Sequence, residues 1–159
     1  MRLFHAAAAR RSAPTLGHMI SFRAADVRDA PRLVSLMREL GYQVTPDLMA
    51  EKLRALVTSA SDKIMVATAD DALIGCVGCH VLELLHAPGR LGRITALVVA
   101  STHQRQGAGA GLVAAAEAFF RSLGCVRVEV TSGNHRAGAH AFYTSLGFSE
   151  SNTRFIKSI

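Results

Sequence analysis

The chain has 159 residues, of which half are hydrophobic and 19% are charged, so we expect a folded domain rather than a disordered chain. The formal net charge is +6, but residues 1–18 hold three arginines and no acidic residue, which leaves the remainder only mildly basic. That remainder lacks tryptophan, a dense basic stripe and any apolar run of 18 residues, which argues against nucleic-acid binding and against a membrane-spanning helix.

The first eighteen residues are rich in alanine and arginine, with Pro14 and Gly17 near their end. Their apolar run is too short for a secretory signal, while an amphipathic organelle-targeting leader stays open. We expect a flexible extension at residues 1–18 and a single domain at residues 19–159.

Periodicity in the first half predicts strands and two helices. The apolar spacing predicts one helix that is capped by Asp26 and stopped by Gly41, and a second helix that begins after Thr45. Short apolar runs bounded by turn residues predict strands at 20–23, 63–68, 72–85 and 93–99. The last three of these strands would form an antiparallel meander.

The second half alternates strands and helices. The pattern predicts helices at 107–123 and 135–146, each closed by a glycine, and strands at 125–130 and 153–159. A strand–helix–strand crossover would make the strands 93–99 and 125–130 parallel. We therefore expect a mixed α/β (α+β) fold, with about four helices flanking a mostly antiparallel sheet of six or seven strands.

The three cysteines are Cys76, Cys79 and Cys125. An odd number without a secretion signal predicts reduced thiols in a cytoplasmic protein. Cys76 and Cys79 form a CxxC pair, but residues three apart on a strand point to opposite faces of the sheet. No second CxxC or HxxxH completes a ligand set, so we expect packing roles and no metal site.

The strongest chemical signal is a glycine-rich stretch after the strand 93–99, which reads VVASTHQRQGAGAG from Val98 to Gly111. A helix that opens with glycines exposes unpaired N–H groups at its positive end, and a pyrophosphate can approach them closely. A Walker loop needs Gly-Lys-Ser/Thr, which is absent. A dinucleotide motif would follow its strand directly, whereas seven residues separate Val99 from Gly107. Taken alone, the stretch is also compatible with an ordinary helix start.

Gln-x-x-Gly-x-Gly at 104–109 resembles the CoA-pyrophosphate motif of the GNAT superfamily of N-acetyltransferases. A second block, AHAFYTSLGF at 139–148, resembles the later helix of that family, and Asn134 stands just ahead of it. The order of elements matches the family from residue 19 to the end. Phrases in the last half are also similar to bacterial aminoalkylphosphonate N-acetyltransferases, although they recur in aminoglycoside-type relatives.

This resemblance implies acetyl-CoA as cosubstrate, and direct attack of an amine on the thioester without an acyl-enzyme. It assigns Tyr143 to the general acid that protonates the leaving thiolate, with packing beside Phe142 as the alternative. His140 would orient Tyr143, touch CoA or lie on the helix surface. The implied cofactor-binding residues are Leu97, Val98, Val99, Gln104, Arg105, Gln106, Gly107, Ala108, Gly109, Ala110, Asn134 and Tyr143.

Many relatives carry a glutamate on the strand that corresponds to 93–99, where this chain has no carboxylate. Glu83 and His86 are therefore candidate bases, and a water chain or an amine that arrives neutral stays open. The expected acceptor is a primary amine of a small molecule, without nucleic-acid or membrane partners. A protein or peptide acetyltransferase and a CoA-binding regulatory module are the alternatives, and the resemblance leaves a homodimer open.

Overall fold

The computed structural model describes residues 19–132, 137–151 and 157–158. The extension predicted at 1–18, Asn134 and most of the strand predicted at 153–159 lie outside these residues.

The described residues form one sheet of five strands in the order β1-β2-β3-β4-β5. The first four strands pair antiparallel, and β4 pairs parallel with β5, as the crossover predicted. All five strands predicted within the described residues are present, which is fewer than the six or seven expected for the sheet, and the other predicted strand at 153–159 lies mostly outside them. The bounds are β1 Ile20–Ala24, β2 Asp62–Ala69, β3 Ala72–Glu83, β4 Arg90–Val99 and β5 Cys125–Val130.

The described ranges also hold the four expected helices: α1 Ala30–Glu39, α2 Pro46–Val57, α3 Ala108–Ser122 and α4 Ala137–Ser145. Asp26 caps a short 3-10 turn that leads into α1, rather than α1 itself. The Thr45 side chain caps α2 by accepting the Leu48 N–H at 3.3 Å. Local capping residues therefore place both early helices where the sequence predicts them.

The sheet separates two apolar layers. On one face α3 packs through residues such as Leu112 and Phe120, and on the other face α1 and α2 pack through Leu33, Leu36 and Leu53. Gly92 allows the close approach of α3, because a Cβ at this position would lie 2.4 Å from Cγ of Phe120. The two layers hold β3 and β4 rigidly in the middle of the domain.

Cys76 and Cys79 lie in opposite layers, as predicted for residues three apart on a strand. Burial raises the pKa of each thiol to about 12. The searched ranges contain no cluster of three potential metal ligands. No helix within the described ranges has the length and apolar character needed to cross a membrane.

Candidate active site

The sheet opens between β4 and β5. Their pairing runs from Arg90 opposite Cys125 to Ile94 opposite Val130. Strand β4 continues to Val99 while it stays paired only with β3. Within the described residues, the edge of β4 that faces away from β3 therefore has no strand partner beyond Ile94.

Two contacts fix the direction of the backbone groups along this open edge. The Ala100 N–H donates to the Ile74 carbonyl at 2.7 Å, and the Val98 carbonyl points at Gly75, where a Cβ would lie 2.9 Å away. Ala100 and Val98 thus face β3. Because successive residues of a strand alternate, Leu97 and Val99 direct their N–H and C=O groups toward the open edge.

Helix α3 begins beside this edge with an exposed turn. Gly107 is its N-cap, with φ of 90°, and no side chain caps the helix. A Cβ at Gly107 would meet nothing within 4 Å, so the left-handed conformation rather than space favours glycine here. The N–H groups of Ala108, Gly109 and Ala110 have no acceptor within the helix. Together with the helix dipole, they form a site suited to an anion.

Three elements meet at Gly109. A Cβ built there would lie 3.3 Å from Cζ of Phe142 on α4 and 3.8 Å from Cγ2 of Val99 on β4. The end of β4, the start of α3 and the middle of α4 are therefore neighbours. The structure brings the predicted strand residues, the glycine turn and the helix that carries Tyr143 to one place.

Tyr143 is half-buried in an aromatic cluster. Its ring centroid lies 5.3 Å from that of Phe142 and 5.6 Å from that of Phe148, both in edge-to-face geometry. Nδ1 of His140 lies 3.1 Å from Oε1 of Glu150, and an orienting role of His140 toward Tyr143 stays a prediction. Tyr143 thus packs against Phe142, the residue of α4 that approaches Gly109 at the start of α3.

A cavity of about 450 Å³ adjoins the open edge. Glu39, at the end of α1, accepts the Ser101 N–H at 2.9 Å and contributes to the lining. The sequence analysis missed Glu39, because nothing local indicates that α1 ends against β4. The lining residues are Glu39, Leu40, Leu97, Val98, Val99, Ser101 and Gln104.

The side chains around the glycine turn are exposed. Gln104 reaches back to β4 and donates from Nε2 to the Val99 carbonyl at 3.3 Å. Gln106 donates to the Thr102 carbonyl at 3.4 Å. Arg105 has φ of 58° and makes no ion pair with the described residues. The turn thus carries an exposed arginine two residues before Gly107, the N-cap of α3.

The structure places both candidate bases from the sequence away from the open edge. Glu83 accepts a hydrogen bond from Nε of Arg90 at 2.6 Å and lies in register with it. Arg90 precedes Leu97 by seven residues, one of which is the bulged Thr95, so the two are about 20 Å apart at the usual rise of a strand. His86 belongs to the loop at the Arg90 end. Neither side chain can reach the open edge.

Comparison with known proteins identifies the family. The model of the acetyltransferase (GNAT) family matches residues 30–148. The chain belongs to this family. An aminoalkylphosphonate N-acetyltransferase from Salmonella typhimurium is 30% identical over 124 residues, which are 78% of each chain. The resemblance predicted from the motifs is therefore confirmed, and the chain is an N-acetyltransferase.

Solved structures share the fold. An aminoglycoside acetyltransferase from an uncultured soil metagenomic sample, in complex with sisomicin, has a TM-score of 0.74 at 24% identity and covers 88% of this chain and 96% of its own. An aminoglycoside N-acetyltransferase in complex with CoA has a TM-score of 0.81 at 14% identity, with coverage of 93% and 99%. At these identities the two structures support the architecture alone.

Proposed function

We propose that this N-acetyltransferase moves the acetyl group of acetyl-CoA to a primary amine of a small molecule by direct attack. The observation that carries the proposal is the meeting of the open β4 edge with the uncapped start of α3. A long anionic thioester needs both features, namely donors for its phosphates and a polar edge for its amide groups.

The residues present fit CoA. The N–H groups of 107–110 would hold the pyrophosphate at the positive end of α3. The Arg105 guanidinium would add a charged partner for a phosphate. Farther in, the N–H and C=O groups of Leu97 and Val99 would pair with the pantetheine amides. Asn134 stays a prediction, because it lies outside the described residues.

The chain itself would contribute three things to the reaction: a backbone hydrogen bond, positioning of the two reactants and one proton donor. The backbone N–H of Leu97 or Val99 would donate to the thioester carbonyl and stabilise the negative charge that develops on its oxygen. Holding the amine and the thioester side by side supplies a further large part of the rate. Tyr143 would give its phenolic proton to the departing thiolate, because a phenol still holds its proton at neutral pH.

The acceptor class follows from the relative and not from the fold. That relative is named for aminoalkylphosphonates, so these compounds are the first acceptors to test. Aminoglycosides are the second, because phrases in the last half of the chain recur in aminoglycoside-type relatives. A peptide acceptor or a binding role without turnover remain the alternatives, and the assay below distinguishes them.

The test is release of CoA thiol from acetyl-CoA with a panel of amines: aminoalkylphosphonates, aminoglycosides, polyamines, amino acids and a lysine peptide. We expect saturable release with one small-molecule class. Release with the lysine peptide alone would favour the peptide alternative. Acetyl-CoA binding without release would favour the regulatory alternative, and absence of binding would refute the proposal.

A further inference from the structure

Four ionisable side chains form one row across the sheet. Asp62 on β2 is in register with His80 on β3, His80 with Arg93 on β4, and Arg93 with Glu129 on β5. Residues in register share a face of the sheet. Further along the same strands, α1 and α2 cover this face through the layer that holds Val66, Cys76 and Val98. The four ionisable residues lie outside the part of the face that α1 and α2 cover.

The part of this sheet face that α1 and α2 do not cover is unusually exposed for inner strands. Arg93 is exposed although β4 there lies between β3 and β5. Just past the last pair with β5, Thr95 is exposed and Gly78 and Ala96 are half-buried. Only glycine fits at position 78 on this uncovered surface, because a Cβ there would lie 2.6 Å from Oγ1 of Thr95. The uncovered surface borders the position where pairing between β4 and β5 ends, at Ile94 opposite Val130. An acceptor molecule that lies on it would reach the open edge.

Within this row, His80 has the chemistry of a base. Its Nδ1 lies 2.8 Å from Oδ1 of Asp62, and Oδ2 of Asp62 accepts a hydrogen bond from Oγ of Ser59 at 2.6 Å. Burial opposes ionisation of Asp62, but the hydrogen bonds from Ser59 and His80 outweigh it and lower the pKa of this carboxyl. A carboxylate only accepts hydrogen bonds, so Nδ1 carries a proton, and in the neutral imidazole Nε2 is the acceptor.

The other members of the row are less suitable as the base. Arg93 has no acceptor, since a guanidinium stays protonated in proteins. Glu129 is already bound by the Arg93 guanidinium in an ion pair. His80 makes no further hydrogen bond with the described residues, and its side chain is 37% exposed. It is thus the member of the row that is ready to take a proton.

We propose that His80, oriented by Asp62, is the base that removes the proton from the acceptor ammonium. This inference rests on the function proposed above. Arg93, the neighbour of His80 in register, precedes Leu97 by four residues, one of which is the bulged Thr95. The separation along β4 is therefore about 10 Å, which the amine and a bridging water can span.

The proton balance is simple. The ammonium gives one proton to Nε2 of His80, and the neutral amine then forms the C–N bond while the C–S bond of the thioester breaks. Tyr143 protonates the thiolate, and the second proton lost by the nitrogen restores Tyr143 through solvent. His80 releases its proton to water, so one proton leaves for each amide formed.

The experiment compares His80→Ala with His86→Ala, a control histidine in the loop at the far end of β4. Each variant is assayed with two acceptors. The first is the best acceptor of the panel. The second is an analogue of it that carries fluorine on the carbon next to the aminomethyl group, so that its amine is neutral at the assay pH. For His80→Ala we expect kcat to fall about a hundredfold with the ammonium acceptor and little with the neutral amine. His86→Ala should match the wild-type protein with both.

Asp62→Asn provides a second variant, with Asp62 as a positioning residue. It should show a smaller loss with the same preference for the neutral amine, and acetyl-CoA binding should be unchanged in all variants. An equal loss with both acceptors, or no loss, would overturn the role of His80. Absence of turnover in the wild-type protein, which is measured first, would overturn the proposed function and this inference with it.

Discussion

Replacing Gly107 with alanine tests the anion site at the start of α3 without introducing a clash. The added Cβ would meet nothing within 4 Å, so the perturbation is purely conformational. Alanine at φ of 90° costs about 1–2 kcal/mol, and the turn relieves this strain by leaving the left-handed region. That movement turns the first N–H groups of the helix away from a bound phosphate.

The expected effect on binding follows from the lost hydrogen bonds. A hydrogen bond to a charged group contributes about 1.5–3 kcal/mol, so losing one raises the Kd for acetyl-CoA about 10- to 100-fold. Isothermal titration calorimetry measures this Kd, and urea unfolding measures the loss of stability.

The chain offers a matched control at the other end of the same helix. Gly124 has φ of 74°, and a Cβ there would also meet nothing within 4 Å. Gly124→Ala should therefore lose a similar free energy of unfolding, about 1–2 kcal/mol, while it binds acetyl-CoA like the wild-type protein. If the two variants bind acetyl-CoA equally well, the start of α3 does not hold the phosphates and the reasoning fails.

Three further outcomes are expected. Tyr143→Phe should lower kcat about a hundredfold without changing the Kd for acetyl-CoA, and an unchanged kcat would reduce Tyr143 to packing. Glu83→Gln should leave kcat unchanged, because Glu83 pairs with Arg90 far from the open edge; a large loss would contradict the register described here. At pH 8 the buried thiols of Cys76 and Cys79, with pKa of about 12, should resist iodoacetamide in the folded protein, whereas half-buried Cys125 should react first. Peptide mass spectrometry measures this order, and comparable labelling of all three would argue against the described burial.

Local sequence patterns predicted most of the elements, because caps, glycine stops and apolar periodicity act within a few residues. The helix that starts after Thr45 and the strand that ends at Val99 lie where those patterns place them. The opposite faces of Cys76 and Cys79 follow from strand alternation alone. The strand predicted at 153–159 stays a prediction, because most of it lies outside the described residues.

Sequence reasoning offered Glu83 and His86 as bases, and the structure places neither beside the open edge. Both residues lie near the end of the strand that precedes β4 in the chain. The antiparallel pairing of β3 with β4 places them at the far end instead. No local pattern indicates a role for His80, because its partner Asp62 is eighteen residues away in the sequence.

The sequence by itself therefore determined the family, the glycine turn and the order of helices and strands. Only the tertiary structure decided where pairing between β4 and β5 ends and which side chains share the row from Asp62 to Glu129. The physical reason is register. A shift of one residue moves every side chain of a strand to the other face, and bulges such as the one at Gly78 and Cys79 create such shifts. Their positions are set by packing between distant segments, which no local pattern records.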